Sequence, residues 1–203
     1  MSLEAWLAFC AMETVLCFIP GPAVLFVLSV ALARGVRPGI AAAAGILTAN
    51  AGYFALSATG VAAVIVASHE LFTVLKWAGA VYLVYLGLGM LFGRTRPTPA
   101  ASPQVVRGAL LRGVLVQGAN PKALVFFVAL LPQFIEPGAP VVFQIMVLGA
   151  SSIVIEFFAL AVYVAVAVRA RQLAGSRLAG PLQRVGGGFL VAAGARLAVT
   201  RSA

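Results

Sequence analysis

Six apolar stretches, parted by short polar connections, make up most of the chain: residues 3–33, 38–67, 71–93, 112–135, 139–168 and 182–200. The run from Pro38 to Ser68 carries no charge. It exceeds the roughly 20 residues a helix needs to cross a bilayer. Each stretch predicts a membrane-spanning helix, and the first, second and fifth are long enough to need tilt or short extramembrane ends. The sixth is glycine-rich, with Arg196 near one end, from where a guanidinium can snorkel to the interface. Two stretches are interrupted about midway between their polar ends, the first by Pro20-Gly21-Pro22 and the fourth by Asn120-Pro121-Lys122. A proline inside a span removes a backbone hydrogen bond and clashes with the preceding turn. Bare backbone survives at membrane depth only where protein or a polar cavity satisfies it. Matched broken helices in the two halves of a membrane chain point to a transporter binding site near the midplane.

The halves read as repeats. Gly21-Pro22 aligns with Asn120-Pro121 at an offset of 99, and Gly45 to Leu56 aligns with Gly149 to Leu160 at an offset of 104. Gly79, Leu83, Val84, Gly87 and Arg94 meet Gly186, Leu190, Val191, Gly194 and Arg201 at an offset of 107. The collinear order of these matches predicts repeat one over 1–94, an extended linker over 95–107 with Pro97, Pro99 and Pro103, and repeat two over 108–203. Three spans per half is an odd number, so the halves cross in opposite directions. The expected fold is an all-α integral membrane protein of one transporter domain, a 3+3 inverted repeat with helices 1 and 4 broken near the midplane. Gly79, Gly87, Gly186, Gly187, Gly188 and Gly194 suit close helix packing.

Composition agrees. Hydrophobic residues are 63% of the 203 and charged residues 9%, against about 25% charged in a soluble domain. The net charge of +9 suggests nucleic acid until the positions are read. Arg34, Arg37, Arg94, Arg96, Arg107, Arg112, Arg169, Arg171, Arg177 and Arg184 all fall around three connections that hold no acid. His69, Glu70 and Glu136 fall in the other two. That bias places the basic loops in the cytoplasm and both termini outside. Attraction to anionic lipid is a secondary effect of the same arginines. Nucleic acid is not an expected partner. Cys10 and Cys17, seven apart on one helix, are too far apart for a disulfide and read as small apolar fillers. No Cys/His cluster offers a metal site, and nothing calls for a cofactor. Glu4 stands where a leader would carry basic residues, so the first stretch is expected to remain a span.

The breaks carry the chemistry. Pro22 and Pro121 suit the first position of a new half-helix, with Asn120 as an N-cap. Two half-helix N-termini would present free N–H groups and partial positive charge, a site for a carboxylate. Lys122 opposes the dipole of its own helix and is costly in mid-membrane, so it calls for an anionic partner. That partner is either a substrate carboxylate or a fixed pair with Glu13 or Glu156, the acids within the spans. Glu156 is the candidate proton carrier and Glu13 its entry point. Asn50 and Thr48 sit mid-span in the repeat partner of the Glu156 helix, where they either line the same cavity or bond between helices. The expected substrate-binding set is Pro20, Gly21, Pro22, Asn50, Asn120, Pro121 and Lys122, with Glu13 and Glu156 for proton coupling or as counter-ions; His69 is given no role.

The chain resembles the LysE/RhtB family of amino-acid exporters. The resemblance rests on Pro20-Gly21-Pro22, the loop Arg34 to Gly39, Gly45, the segment Leu75 to Gly87, Asn120-Pro121-Lys122 and Pro132-Gln133-Phe134. It implies a six-span inner-membrane exporter driven by protons, often for neutral amino acids such as threonine or homoserine, with its site at the two breaks. Glu13 and Glu156 leave open a basic amino-acid exporter that uses them as counter-ions. A membrane thiol-disulfide carrier needs cysteines on two helices that approach each other, and this chain has both on one. A non-transporting membrane subunit would need neither the two breaks nor the embedded charges. Symmetry does not set the direction of transport, and a homo-oligomer stays open.

Overall fold

The computed structural model describes residues 1–59, 69–92, 102–174 and 179–199. Within these, helix α1 (Leu3–Phe18) is followed across the Pro20 break by α2 (Pro22–Arg34) at a bend of 52°. Gly35, at φ +89°, turns the chain into α3 (Val36–Ala58), a conformation that costs glycine alone little. Then come α4 (His69–Phe92) and α5 (Pro103–Gly118). The second break bends α5 by 49° against α6 (Pro121–Val125) and the irregular turns that continue to Phe134. Two longer helices close the chain, α7 (Val141–Ala174) and α8 (Ala179–Val199). Arg94, Arg96, Arg177, Arg201 and most of the linker lie outside the described residues, as do the side chains of His69 and Glu70.

Both predicted breaks are present, and their local chemistry is the reason. Pro22 opens α2 and Pro121 opens α6, where a missing N–H costs nothing. Asn120 caps α6, its Oδ1 accepting from the Lys122 N–H at 3.1 Å. The second half of that span departs from a regular half-helix. After five residues the backbone widens into a π-helical turn over Phe126–Leu130 and tightens into a 3-10 turn over Leu131–Phe134. Pro132 cannot donate to the preceding turn, which explains the loss of regular pairing there. The linker is shorter than its prolines suggest. Pro103 opens α5 behind Ser102, whose hydroxyl caps the Val105 N–H at 3.4 Å, so residues 103–107 are helical.

By length and composition, α3 and residues 141–173 of α7 are each long and apolar enough to cross a membrane. The bent pairs α1–α2 and α5 to Phe134 qualify as two more when each counts as one span. In α4 the apolar run is shorter, Trp77–Phe92, and α8 is not among the qualifying helices. Large apolar side chains point outward along most helices, among them Val15, Val81, Phe143, Val166 and Phe189, each more than half exposed. Such a surface suits hydrocarbon rather than water.

Packing is reciprocal: α3 lies along α5, α7 along α1 and α2, and α4 along α8. Glycine makes the closest approaches possible. A methyl at Gly45 would run into the Leu110 carbonyl of α5, and one on Gly113 into the Ala42 carbonyl of α3. On the other pair, a Cβ at Gly87 would come within 2.6 Å of the Gly187 carbonyl. Gly188 meets nothing within 4 Å, so the packing role expected of it does not hold. Charge separates to the two ends. At one, Glu136 accepts from the Ser2 N–H at 2.7 Å and lies 3.1 Å from the Met1 amino group. The Ser2 bond chiefly holds the exposed Glu136 carboxyl down at about 2. A depressed carboxyl ties its contact to the ionised form, so this one persists above the ordinary carboxylate range and is lost only as pH falls through about 2. At the other end lie Arg34, Arg112 and Arg171, the last beside Gly35.

Candidate functional site

A cavity of about 720 Å³ lies where the two breaks meet, within the range of small-molecule sites. One apolar core closes it towards the basic end, with Ala31, Ile46, Leu83, Val164 and Leu190 among its members. A second core lies towards Glu136, built on Phe9, Phe54, Phe126, Phe127 and Leu131. Its rings interlock, Phe54 with Phe127 at 4.8 Å and Phe9 with Phe134 at 5.4 Å between centroids, both edge to face. All nine residues of the expected substrate-binding and proton-coupling set line the cavity: Glu13, Pro20, Gly21, Pro22, Asn50, Asn120, Pro121, Lys122 and Glu156. Thr48 does not. It is exposed and donates to the Ala44 carbonyl of its own helix at 2.8 Å.

The two acids come from opposite halves and each is held by the other half. Glu13 on α1 is 6% exposed, and its Oε1 accepts from the Ser152 hydroxyl of α7 at 2.6 Å. The Cys17 thiol adds a weaker donation at 3.8 Å to the same oxygen. Glu156 on α7 accepts through Oε2 from the Asn50 side-chain amide of α3. Among the described residues no donor meets the second oxygen of either acid. Each carboxylate is therefore fixed by one oxygen and open through the other.

Asn50 is itself oriented by a chain of amides that the sequence reading missed. Asn120 Nδ2 donates to Gln117 Oε1 at 2.9 Å, and Gln117 Nε2 donates to Asn50 Oδ1 at 2.7 Å. Asn120, Gln117 and Asn50 are 3%, 5% and 5% exposed. The chain runs in one direction, from the second break to the Glu156 carboxylate, with every donor facing an acceptor. A satisfied buried network of this kind fixes orientation, while a half-satisfied one is costly. Gln117 lies three residues before Asn120, one helical turn away, which is the signal that marks it.

Lys122 is held by backbone carbonyls rather than by Glu13 or Glu156. Its ammonium donates to the Leu16 carbonyl and, at 3.1 Å, to the Ile19 carbonyl. Both carbonyls lie at the end of α1, where partial negative charge accumulates, and that of Leu16 also accepts from the Ile19 N–H at 3.2 Å. Among the described residues, neither Glu13 nor Glu156 forms an ion pair with it. Its position at the start of α6 is tolerable because α6 is five residues long, while α1 has sixteen. Tyrosines close the remaining ends reciprocally. Tyr163 of α7 donates to the Phe18 carbonyl at 3.0 Å, and Tyr53 of α3 donates to the Gly118 carbonyl at 2.8 Å. The N-terminus of α2 is left open: Gly21 provides no side-chain cap, and Ala23 and Val24 line the cavity. On the far wall stand Phe189, Ala192, Ala193 and Arg196 of α8, so Arg196 borders the cavity.

Against known proteins, the family of LysE type translocators matches residues 14–201. A homoserine/homoserine lactone efflux protein of Salmonella typhimurium is 32% identical over the whole of both chains. A leucine efflux protein of the same organism is 39% identical over 60% of this chain and 59% of its own. A membrane protein of Pseudomonas aeruginosa without an assigned activity is 42% identical over 59% of each chain. No solved structure matches.

Proposed function

This chain belongs to the LysE translocator family, and we propose from that premise that it exports small neutral amino acids, homoserine- or threonine-like, in exchange for protons. The reading is carried by the pair of half-held carboxylates, Glu13 and Glu156, facing one cavity with the open first turn of α2. A substrate ammonium lies between the two open oxygens. Its carboxylate meets the Ala23 and Val24 N–H groups, where a helix start favours anions. Its side chain lies against Phe189, Ala192 and Ala193. The same oxygens bind a proton or an ammonium but not both, so occupancy by one expels the other. That competition is the elementary requirement of antiport.

A relative named for homoserine and its lactone supports an ammonium-centred site, because the lactone keeps the amine and lacks a carboxylate. Counterflow of radiolabelled homoserine in proteoliposomes tests the reading. Unlabelled homoserine, threonine and leucine are expected to compete, and N-acetylhomoserine, which keeps the carboxylate and loses the cation, is not. Equal competition by N-acetylhomoserine would sink the ammonium site. A second reading follows from there being two acids, one for the α-ammonium and one for a cationic side chain. Stronger competition by lysine and arginine than by homoserine would establish it.

The similar bends, the exchanged packing and the reciprocal tyrosine bonds support a six-span 3+3 inverted repeat with α4 and α8 as the third spans. The charge separation supports an inner-membrane orientation with Glu136 outside and the arginine end in the cytoplasm. In a background without Cys10 and Cys17, Glu136→Cys is expected to react with an impermeant thiol reagent in intact cells, and Arg37→Cys only after lysis. The opposite pattern would invert the topology.

A further inference from the structure

A second hollow, of about 510 Å³, runs between α3 and α7 on the outer surface, its lining distinct from that of the transport cavity. Its floor and walls are apolar, with Val36 and Ile40 on α3 and Val164 and Val168 on α7. Val36 and Ile40 are about half exposed although they border a recess, and Val164 is buried beneath it. At its basic end the hollow finishes on Arg169 and Gln172, both exposed. Val36 is also the first residue of α3, whose Gly35 cap offers no side-chain bond. Helix-dipole charge therefore adds to the arginine at that end.

The dimensions match one leaflet. From Ala161 to Gln172 the hollow follows twelve residues of α7, or roughly 16 Å at the helical rise. That is about half the ~30 Å hydrocarbon core. The structure thus has an apolar slot one leaflet deep, capped at the membrane surface by a cation. We propose that this groove is a binding site for an anionic glycerophospholipid, with one acyl chain along Ile40, Val164 and Val168 and the phosphate on Arg169. Charge complementarity selects the anionic headgroup, and basic pockets between membrane helices at a cytoplasmic surface hold such lipids. The occupied groove bridges α3 and α7, the helices joined deeper in the membrane by the Asn50–Glu156 bond. Lipid would brace the pair that orients one of the two acids. The binding claim itself does not depend on the transport reading.

Native mass spectrometry of the full chain in detergent, titrated with phosphatidylglycerol, phosphatidylcholine or inorganic phosphate, tests the site. Retention of phosphatidylglycerol over phosphatidylcholine is expected, with no retained inorganic phosphate. Arg169→Gln is expected to weaken retention about fivefold, the effect of one surface cation on an anionic lipid. Ile40→Trp, which fills the groove at an exposed position and leaves the charge, is expected to remove it. Arg112→Gln removes a cation from the same end without touching the groove, and is expected to leave retention unchanged. Equal losses in the Arg112 and Arg169 variants would overturn the site in favour of diffuse charge. Equal retention of both lipids would also overturn it. So would retention of inorganic phosphate in place of lipid, or a lipid-free dimer that Ile40→Trp converts to monomer.

Discussion

Glu156→Gln is expected to abolish net export driven by a proton gradient while sparing exchange of substrate for substrate. The amide keeps an oxygen that can accept from Asn50, so the chain from Asn120 through Gln117 retains its direction. What is lost is the charge. A neutral side chain binds neither a proton nor an ammonium competitively, so the step in which one displaces the other has no counterpart. Exchange needs only that substrate enter and leave, and Glu13 still offers its open oxygen, held in place by Ser152. Losing one charge-assisted hydrogen bond to the ammonium costs about 1.5–3 kcal/mol, so the half-saturating substrate concentration in exchange should rise by roughly 10- to 150-fold. Net export under an imposed pH gradient and counterflow without one, measured on the same liposomes, separate the effects. Loss of lysine and arginine transport in both assays, with neutral substrates unaffected, would identify Glu156 as a side-chain counter-ion. Unchanged net export would leave it a structural residue.

The breaks were legible in the sequence because proline and glycine act locally. Pro22 and Pro121 exclude a continuous helix whatever surrounds them, and Asn120 caps the turn beside it. The acids were legible for a related reason, since a charge in an apolar span stands out against its neighbours. Of the partners around those charges, Asn50 was legible as a cavity or interhelical residue and the others were not. Ser152 and Gln117 look like ordinary polar residues in a helix, and only the packing of α7 on α1 and of α3 on α5 brings them to Glu13 and Asn50. The irregular turns from Phe126 to Phe134 were missed because the apolar pattern there suits a helix, while Pro132 and the ring packing impose other pairings. The helical start at Pro103 was missed by counting that proline as a linker residue when Ser102 makes it the first residue of a helix.

Lys122 shows the same limit, and its variant should have a large effect on stability. Sequence reasoning offered it a carboxylate, because a lone ammonium in a membrane calls for an anion. The structure gives it the carbonyls of Leu16 and Ile19 at the end of α1, the first of which also accepts from the Ile19 N–H. Lys122→Met keeps the length and apolar stem of the side chain and removes the cation. Losing the charge-assisted bonding then costs about 1.5–3 kcal/mol, with the Leu16 carbonyl keeping the Ile19 N–H, and α1 loses the favourable charge at its C-terminus. A loss of that size predicts a fall in the thermal midpoint of roughly 5–15 °C for the purified protein in detergent. Lys122→Arg, whose guanidinium can reach the same carbonyls, is expected to recover most of it. The second variant that matters is the double one. If Lys122 neutralised a buried acid, adding Glu13→Gln or Glu156→Gln to Lys122→Met would restore stability by removing the stranded charge. If it caps α1, neither addition helps, because neither replaces the lost bonds to the carbonyls. A Lys122→Met protein of unaltered thermal midpoint that has lost transport would place the ammonium on the substrate instead, and the first break would then be held by Tyr163 alone.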